Sequence, residues 1–420
     1  MNEEFKVTPW DVTGKVDYKK LIEDFGTEPI DDELLARWER LTGSIPMMMQ
    51  RKIFFSHRDL KWLLDRYEAG EKFVLYTGRG PSGHTHLGHL MPWMFTKYLQ
   101  DAFDAPLYFQ MTDDEKFMFK QDLSLKEAKS FTYENTLDII ALGFDPKKTK
   151  IFSDVEYIKT LYPIAIEVAK RVTFSTTKAV FGFDNSTNIG LIYFTSMQSA
   201  PAFLPSIEAG KNIPVLIPHA IDQDPHFRIT RDVAPKIGYY KPASIHCTFL
   251  PSLAGSDKMS ASKPETTIYT VDEPKVIRKK IMSAFTGGRV SIQEQKEKGG
   301  EPGVCAIFQY YYYLFEHDPQ KLSEREQKCM RGEIMCGECK QDLADRVVKF
   351  LEKHQEKREQ ARDKIHDFVV SDYSAAYDKL KRPQDKKEVA KLKKTMKQYY
   401  SVKEGESIHI KNIKELDENR

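Results

Sequence analysis

The sequence contains no apolar run approaching the ~18–20 residues of a membrane-spanning helix, so no such helix is expected. Its first residues, Met1-Asn2-Glu3-Glu4-Phe5, are acidic. They lack the basic-then-apolar order of a secretory leader and the Arg- and Ser-rich character of a transit segment, so the expected location is cytoplasmic. An excess of either charge is missing too. There are 64 Lys and Arg against 62 Asp and Glu, a net charge of +2, and global charge therefore announces no nucleic-acid partner. Cysteine is sparse and odd in number: Cys247, Cys305, Cys329, Cys336 and Cys339. Five cysteines in a long chain do not suggest a disulfide framework. Cys336-Gly337-Glu338-Cys339 has zinc-ligand spacing, but no second Cys-x-x-Cys or His pair follows, and His354 and His366 are unsuitably spaced. The expectation there is a helix start running through Lys340–Phe350, with no metal site. No internal repeat is evident.

What is present suits a globular protein. The 420 residues are 40% hydrophobic and 30% charged, enough for two or three domains with sizeable cores. In residues 1–70, Asp31-Asp32-Glu33-Leu34-Leu35-Ala36-Arg37-Trp38 carries helix-start chemistry. From 72 to 255, apolar strand candidates alternate with helical stretches. The strand candidates are Phe73–Tyr76, Pro106–Met111, Lys150–Phe152, Leu191–Phe194 and Val215–Pro218; the helical stretches include His89–Ala102 and Leu125–Leu142. This alternation predicts an α/β fold with a Rossmann-like parallel sheet, whose ligands bind at the carboxyl ends of the strands. After Pro264 the pattern becomes helical, with apolar spacing in Ile307–Phe315 and Leu343–Leu351. The run Tyr310-Tyr311-Tyr312-Tyr313-Leu314-Phe315 is expected to be helix-packing core. Residues 381–400 carry eight Lys and Arg against Asp385 and Glu388, either a solvated helix or a surface for phosphates.

Two distant segments carry the chemistry. Arg79-Gly80-Pro81-Ser82-Gly83-His84-Thr85-His86-Leu87-Gly88-His89 follows the apolar run Phe73–Tyr76. Small residues where a strand turns into a helix let backbone N–H groups and the helix N-terminus approach phosphate. Lys258-Met259-Ser260-Ala261-Ser262, between Gly255 and Pro264, is a basic, hydroxyl-rich loop. A lysine there supplies positive charge for a phosphate leaving group. Each segment alone is a common pattern; their joint occurrence in this order is what informs.

The pair resembles the signatures of the class I aminoacyl-tRNA synthetases. More specifically, the chain is similar to the eukaryotic and archaeal tryptophanyl type from about Pro9-Trp10-Asp11-Val12 to Asp367-Phe368. The resemblance takes in Gln110-Met111-Thr112-Asp113-Asp114-Glu115-Lys116, Gln198-Ser199-Ala200-Pro201, Ala220-Ile221-Asp222-Gln223-Asp224-Pro225 and Phe227–Pro235. It implies activation of L-tryptophan by ATP, with Mg²⁺ carried by the nucleotide, and transfer to tRNA(Trp), by a homodimer. It implies catalytic contacts from His86, His89, Lys258, Ser260 and Arg79, and ATP contacts from Thr77, Gly78, Gly80, Ser82, Gly88, Lys116 and Met259. Tyr76, Gln110, Glu115, Phe194, Gln198 and Gln223 would bind tryptophan. The implied organisation is an N-terminal segment at 1–70, a catalytic domain at 71–271, a helical anticodon-binding domain at 272–372 and a basic extension at 373–420. The chain departs from the broad class at Ala261, where a second lysine is usual, and in a short Ser82–Thr85 stretch. Three rivals stand beside this reading: tyrosine activation, a small nucleotidyltransferase, and an inactive RNA-binding relative.

Overall fold

The structure is a computed structural model and describes residues 6–9, 12–13, 16–255 and 258–372. The basic stretch 381–400 and the extension from 373 lie outside the described residues. Strands β1 (Lys6–Val7) and β2 (Val12–Thr13) form a short antiparallel pair. A second sheet contains β3 (Glu28–Pro29), β4 (Phe54–Arg58), β5 (Val74–Arg79), β6 (Leu107–Met111), β7 (Thr149–Ser153), β8 (Val215–Ala220) and β9 (Ala243–Cys247). Its order is β3-β4-β9-β8-β5-β6-β7. The five strands from β9 to β7 run parallel, and β3 and β4 add an antiparallel edge.

The chain winds outward from β5 through β6 to β7, then resumes on the other side of β5 with β8 and β9. The direction of winding therefore reverses between β5 and β8. In open parallel sheets a crevice for ligand opens at that point, beyond the carboxyl ends of the strands. The glycine- and histidine-rich segment leaves β5 there.

The helices used below are α1 (Asp32–Thr42), α2 (Leu87–Phe103), α3 (Asp113–Phe119), α4 (Leu125–Ala141), α5 (Ile189–Met197), α6 (Asp224–Val233), α7 (Pro274–Met282), α8 (Pro319–Met330) and α9 (Cys336–Arg362). Their starts follow local chemistry. Asp31 Oδ1 accepts from Leu34 N–H at 2.8 Å and caps α1. Ser124 and Glu127 cap α4 reciprocally, at 3.2 and 2.9 Å.

One expected strand is a helix. Leu191–Phe194 lies within α5, because Asn188 Oδ1 accepts from Leu191 N–H at 2.9 Å and starts a helical turn. Leu191, Phe194, Thr195, Ser196 and Met197 are all buried. A short helix covered on most sides shows no polar face, so its sequence is indistinguishable from a buried strand.

The helical part packs directly on the sheet part. Helix α9 lies against α7 and α4. From α9, His354 Nε2 and Arg358 Nε each sit 2.9 Å from Asp138 of α4, and Arg358 Nη2 sits 2.8 Å from Glu134 Oε2. The aromatic run is core, as expected: Tyr310, Tyr311, Tyr313 and Leu314 are buried. The Cys336-x-x-Cys339 segment begins α9.

Candidate active site

A cavity of about 270 Å³ opens at the carboxyl edge of the sheet. Its wall brings together Thr77, Gly78, Arg79 and Gly80 from the end of β5, and His86, Gly88 and His89 from the start of α2. Glu115 and Lys116 of α3, Phe194 and Gln198 around α5, Gln223 before α6, and Lys258 and Met259 of the lysine loop complete the expected set found there. Tyr76 and Gln110 sit one layer behind this wall, and Ser82 and Ser260 are not among its lining residues. Lys120 Nζ donates to the Ser82 carbonyl at 3.3 Å, and the Ser260 hydroxyl is 2.9 Å from that of Ser262.

The first signature segment is bound to the backbone that follows the lysine loop. Leu87 N–H donates to the Ile268 carbonyl at 3.1 Å, and Thr270 N–H to the Thr85 carbonyl at 2.9 Å. At Gly88, a Cβ would lie 3.1 Å from the His86 ring and 3.5 Å from Met259 Cβ. A side chain there would press on the His86 ring, while Met259 stays at ordinary contact distance.

His86 and His89 form the turn itself. His89 Nδ1 accepts from His86 N–H at 3.2 Å, and the rings stack with centroids 3.5 Å apart. Burial, then the Arg79 charge, holds both imidazoles well below the ordinary histidine range. Both are therefore neutral at pH 7 and can donate N–H bonds without adding charge. His86 Nδ1 is buried and makes no hydrogen bond among the described residues. It is chemically suited to a polar ligand atom.

Three cations serve the same edge. Arg79 Nε donates to Asn135 Oδ1 at 3.0 Å, and burial lowers its guanidinium only to about 10, so it stays charged. Lys116 Nζ pairs with Glu115 Oε1 at 2.7 Å. A Cβ at Gly80 would lie 2.0 Å from Lys116 Cε, so glycine makes room for that side chain. Lys258 Nζ reaches Asp222 Oδ2 at 2.9 Å and stands 4.9 Å from the centroid of the Phe249 ring.

A closed polar network lies at the other end. The Tyr76 hydroxyl is 2.5 Å from Gln110 Oε1 and 2.8 Å from the Gln198 carbonyl. Gln198 Nε2 donates to Tyr76 at 2.7 Å and to Gln110 Oε1 at 3.0 Å. Two oxygens thus converge on one amide nitrogen, at the cavity that Phe194 also lines. Asp154 fixes which way the Gln110 amide faces, since both its oxygens accept from Gln110 Nε2 at 2.9 Å.

Asp154 and Asp222 were not anticipated as site residues. Asp154 immediately follows β7 on the ligand edge, a position that could have marked it. Asp222 lies beside Gln223 in a segment already singled out. His226 and Pro9 also line the cavity, and Gln223 Nε2 donates to the Pro9 carbonyl at 3.3 Å.

Comparison with known proteins agrees with this arrangement. A family profile described as tRNA synthetases class I (W and Y) matches residues 68–352. The chain is 52% identical over 371 residues to the tryptophan–tRNA ligase of Pyrococcus furiosus, covering 88% of this chain and 94% of that one. It is 48% identical over 371 residues to that of Pyrobaculum calidifontis, covering 88% and 99%. Among solved structures, the Plasmodium falciparum tryptophanyl-tRNA synthetase matches with a TM-score of 0.77 at 43% identity, covering 82% of this chain and 94% of that one. The Encephalitozoon cuniculi enzyme bound to tryptophan matches at 0.78 and 40%, covering 84% and 98%. By sequence along most of its length and by fold, the chain belongs to the class I tRNA synthetases of the tryptophan and tyrosine branch, as a tryptophan–tRNA ligase.

Proposed function

We propose a division of labour among the cavity residues for tryptophan activation. The observation that carries it is the convergence of the Tyr76 hydroxyl and Gln110 Oε1 on one amide nitrogen, Gln198 Nε2, at the cavity that Phe194 also lines. An indole has one N–H on an otherwise apolar ring, and binding it requires such an acceptor in an aromatic slot. Gln198 Nε2 occupies that point, and its amide gives way to the indole N–H when tryptophan enters. Glu115 then pairs with the α-ammonium, while Gln198 and Gln223 turn to the amino and carboxylate groups.

ATP lies along the opposite wall as its magnesium complex. Thr77, Gly78, Gly80, Ser82, Gly88 and Met259 border the nucleotide. His86 and His89 donate N–H bonds to it as neutral groups. A tryptophan carboxylate oxygen attacks the α-phosphorus, the bond to the bridging oxygen breaks, and pyrophosphate leaves with that electron pair. Lys258, Ser260, Arg79 and Lys116 stabilise the charge that grows on the leaving group. In the second step a ribose hydroxyl at the tRNA 3′ end attacks the acyl carbon, and AMP leaves.

The remaining assignments rest on the family. They comprise a catalytic part at 71–271, anticodon recognition within 272–372, a homodimer and a cytoplasmic location; tRNA contacts from the basic extension, which lies beyond the resemblance, rest instead on its lysine-rich sequence. Replacing Gln110 by Leu tests the pocket. Removing the amide leaves the indole N–H with a poorer partner and Asp154 without its donor, so KM for tryptophan is expected to rise about 10–100-fold, with a smaller change in kcat. Unchanged KM in steady-state pyrophosphate exchange would contradict the assignment.

A further inference from the structure

One buried side chain outside the cavity holds two parts of its rim. Asn135, in the middle of α4, is fully buried and is not among the residues that line the cavity. Its Oδ1 accepts from Arg79 Nε at 3.0 Å, and its Nδ2 donates to the Gly83 carbonyl at 3.0 Å. The two partners fix which way the amide faces, because the guanidinium only donates and the carbonyl only accepts. They stand 56 and 52 residues away in sequence.

The same side of α4 carries more of the strand-to-helix segment. Phe131, one turn before Asn135, meets the His84 ring at nearly a right angle, with centroids 5.9 Å apart. Asp138, one turn after it, is held by His354 and Arg358 of α9. Residues at this spacing share one face of a helix. Asn135 therefore stands between the turn that follows β5 and a helix anchored to α9, so its amide is a fixed point.

Arg79 is held differently from the other cations of the cavity. Lys116 and Lys258 are each paired with a carboxylate, Glu115 and Asp222. Arg79 is paired with a neutral amide, and among the described residues no carboxylate bonds to it; Glu115 and Asp138 act on it only through space. The amide takes the Nε–H alone. Among the described residues Nη1 and Nη2 make no hydrogen bond, so both arms of the guanidinium stay available with their charge uncancelled. Those arms are the part of an arginine that matches phosphate oxygens in pairs. An aspartate at this position would cancel the charge and repel the Gly83 carbonyl, and a leucine would hold neither partner.

We propose that Asn135 is a positioning residue for tryptophan activation: it sets the plane of the Arg79 guanidinium so that Nη1 and Nη2 meet the phosphates of ATP, and it ties the segment after β5 to the same point. The proposal rests on the reading that Arg79 acts on those phosphates. A group displaced by about 1 Å from its productive place loses much of its effect on the transition state. Asn135 itself touches no substrate. Its loss is therefore expected in the rate of adenylate formation, while the tryptophan pocket of Tyr76, Gln110 and Gln198 keeps its own hydrogen bonds.

The test is a double-mutant cycle of Asn135→Ala and Arg79→Ala in the full chain, read by single-turnover adenylate formation, with tryptophan affinity and urea stability measured alongside. Arg79→Ala is expected to slow adenylate formation about 10²–10³-fold and Asn135→Ala about 10–100-fold, each leaving tryptophan affinity within a few-fold. In the Arg79→Ala background, Asn135→Ala should slow the reaction no further, since no guanidinium remains to be placed. An asparagine that only supports the fold would slow the reaction by the same factor in both backgrounds, or would weaken tryptophan binding as much as it slows the chemistry. Either result, or an Asn135→Ala variant of unchanged rate, would overturn the proposal while leaving the role of Arg79 intact. An Arg79→Ala variant of unchanged rate would overturn that role and the proposal with it. If Asn135→Ala does not fold, Asn135→Asp, of the same shape, replaces it in the cycle. Its added charge should slow adenylate formation only while Arg79 is present, and equal slowing in both backgrounds would again contradict the proposal.

Discussion

Lys258 is held by Asp222 at 2.9 Å and rests against Phe249, so its charge waits beside the cavity already oriented. A preorganised cation aimed at developing phosphate charge is worth a few kcal/mol in the transition state and little in the ground state. Lys258→Ala should therefore slow adenylate formation about 10²–10³-fold in single-turnover measurements and leave tryptophan affinity within a few-fold. Equal losses in both would mean that Lys258 binds substrate without favouring the leaving group. The lysine was legible in the sequence because its loop has a recognisable composition. Its partner was not, since Asp222 stands 36 residues away and only the fold brings the carboxylate to it. Asp154 was hidden in the same way, 44 residues from Gln110.

Helix α5 carries Phe194, and Gln198 follows at its end. The placement of both depends on how firmly the helix starts. Asn188→Ala removes the cap and should cost about 1 kcal/mol of stability. It should also raise KM for tryptophan several-fold by loosening the slot. Urea denaturation together with steady-state exchange would check this; a stability loss without any change in KM would separate the helix from the pocket. This element was also the one mistaken for a strand. Strands β5, β6, β7 and β8 were legible because their apolar runs are short and bounded by turns. Helices α2 and α4 were legible because they are long and patterned. In α5 burial on most sides removed the pattern.

Across the whole molecule the buried histidines set the pH response. His57, His86, His89, His219, His226 and His246 all have imidazoles held below the ordinary range, chiefly by burial. Unfolding lets each bind a proton once pH falls below about 6.5. Their stabilising contribution is therefore complete above that pH and is lost as pH falls toward the folded values. Asp113, Asp114 and Asp154 act oppositely. Burial raises their carboxyls, Asp114 to about 7, so their contribution is present at low pH and is lost as pH rises through the folded values. Six histidines outweigh three carboxylates between about pH 5 and 6.5, and Tm should rise across that window. A flat or falling Tm there would show that the imidazoles do not outweigh the buried carboxylates.

The measurement that bears most directly on the pocket is pyrophosphate–ATP exchange with tryptophan and with tyrosine, each alone under identical conditions. A phenol carries its O–H at the tip of a smaller ring and its oxygen also seeks a donor, so acceptors fixed for the side of an indole match it poorly, and a mismatched polar site is costly. Exchange should depend on tryptophan, with tyrosine at least about 10²-fold weaker in kcat/KM. Comparable or preferred exchange with tyrosine would contradict the roles given to Tyr76, Gln110 and Phe194.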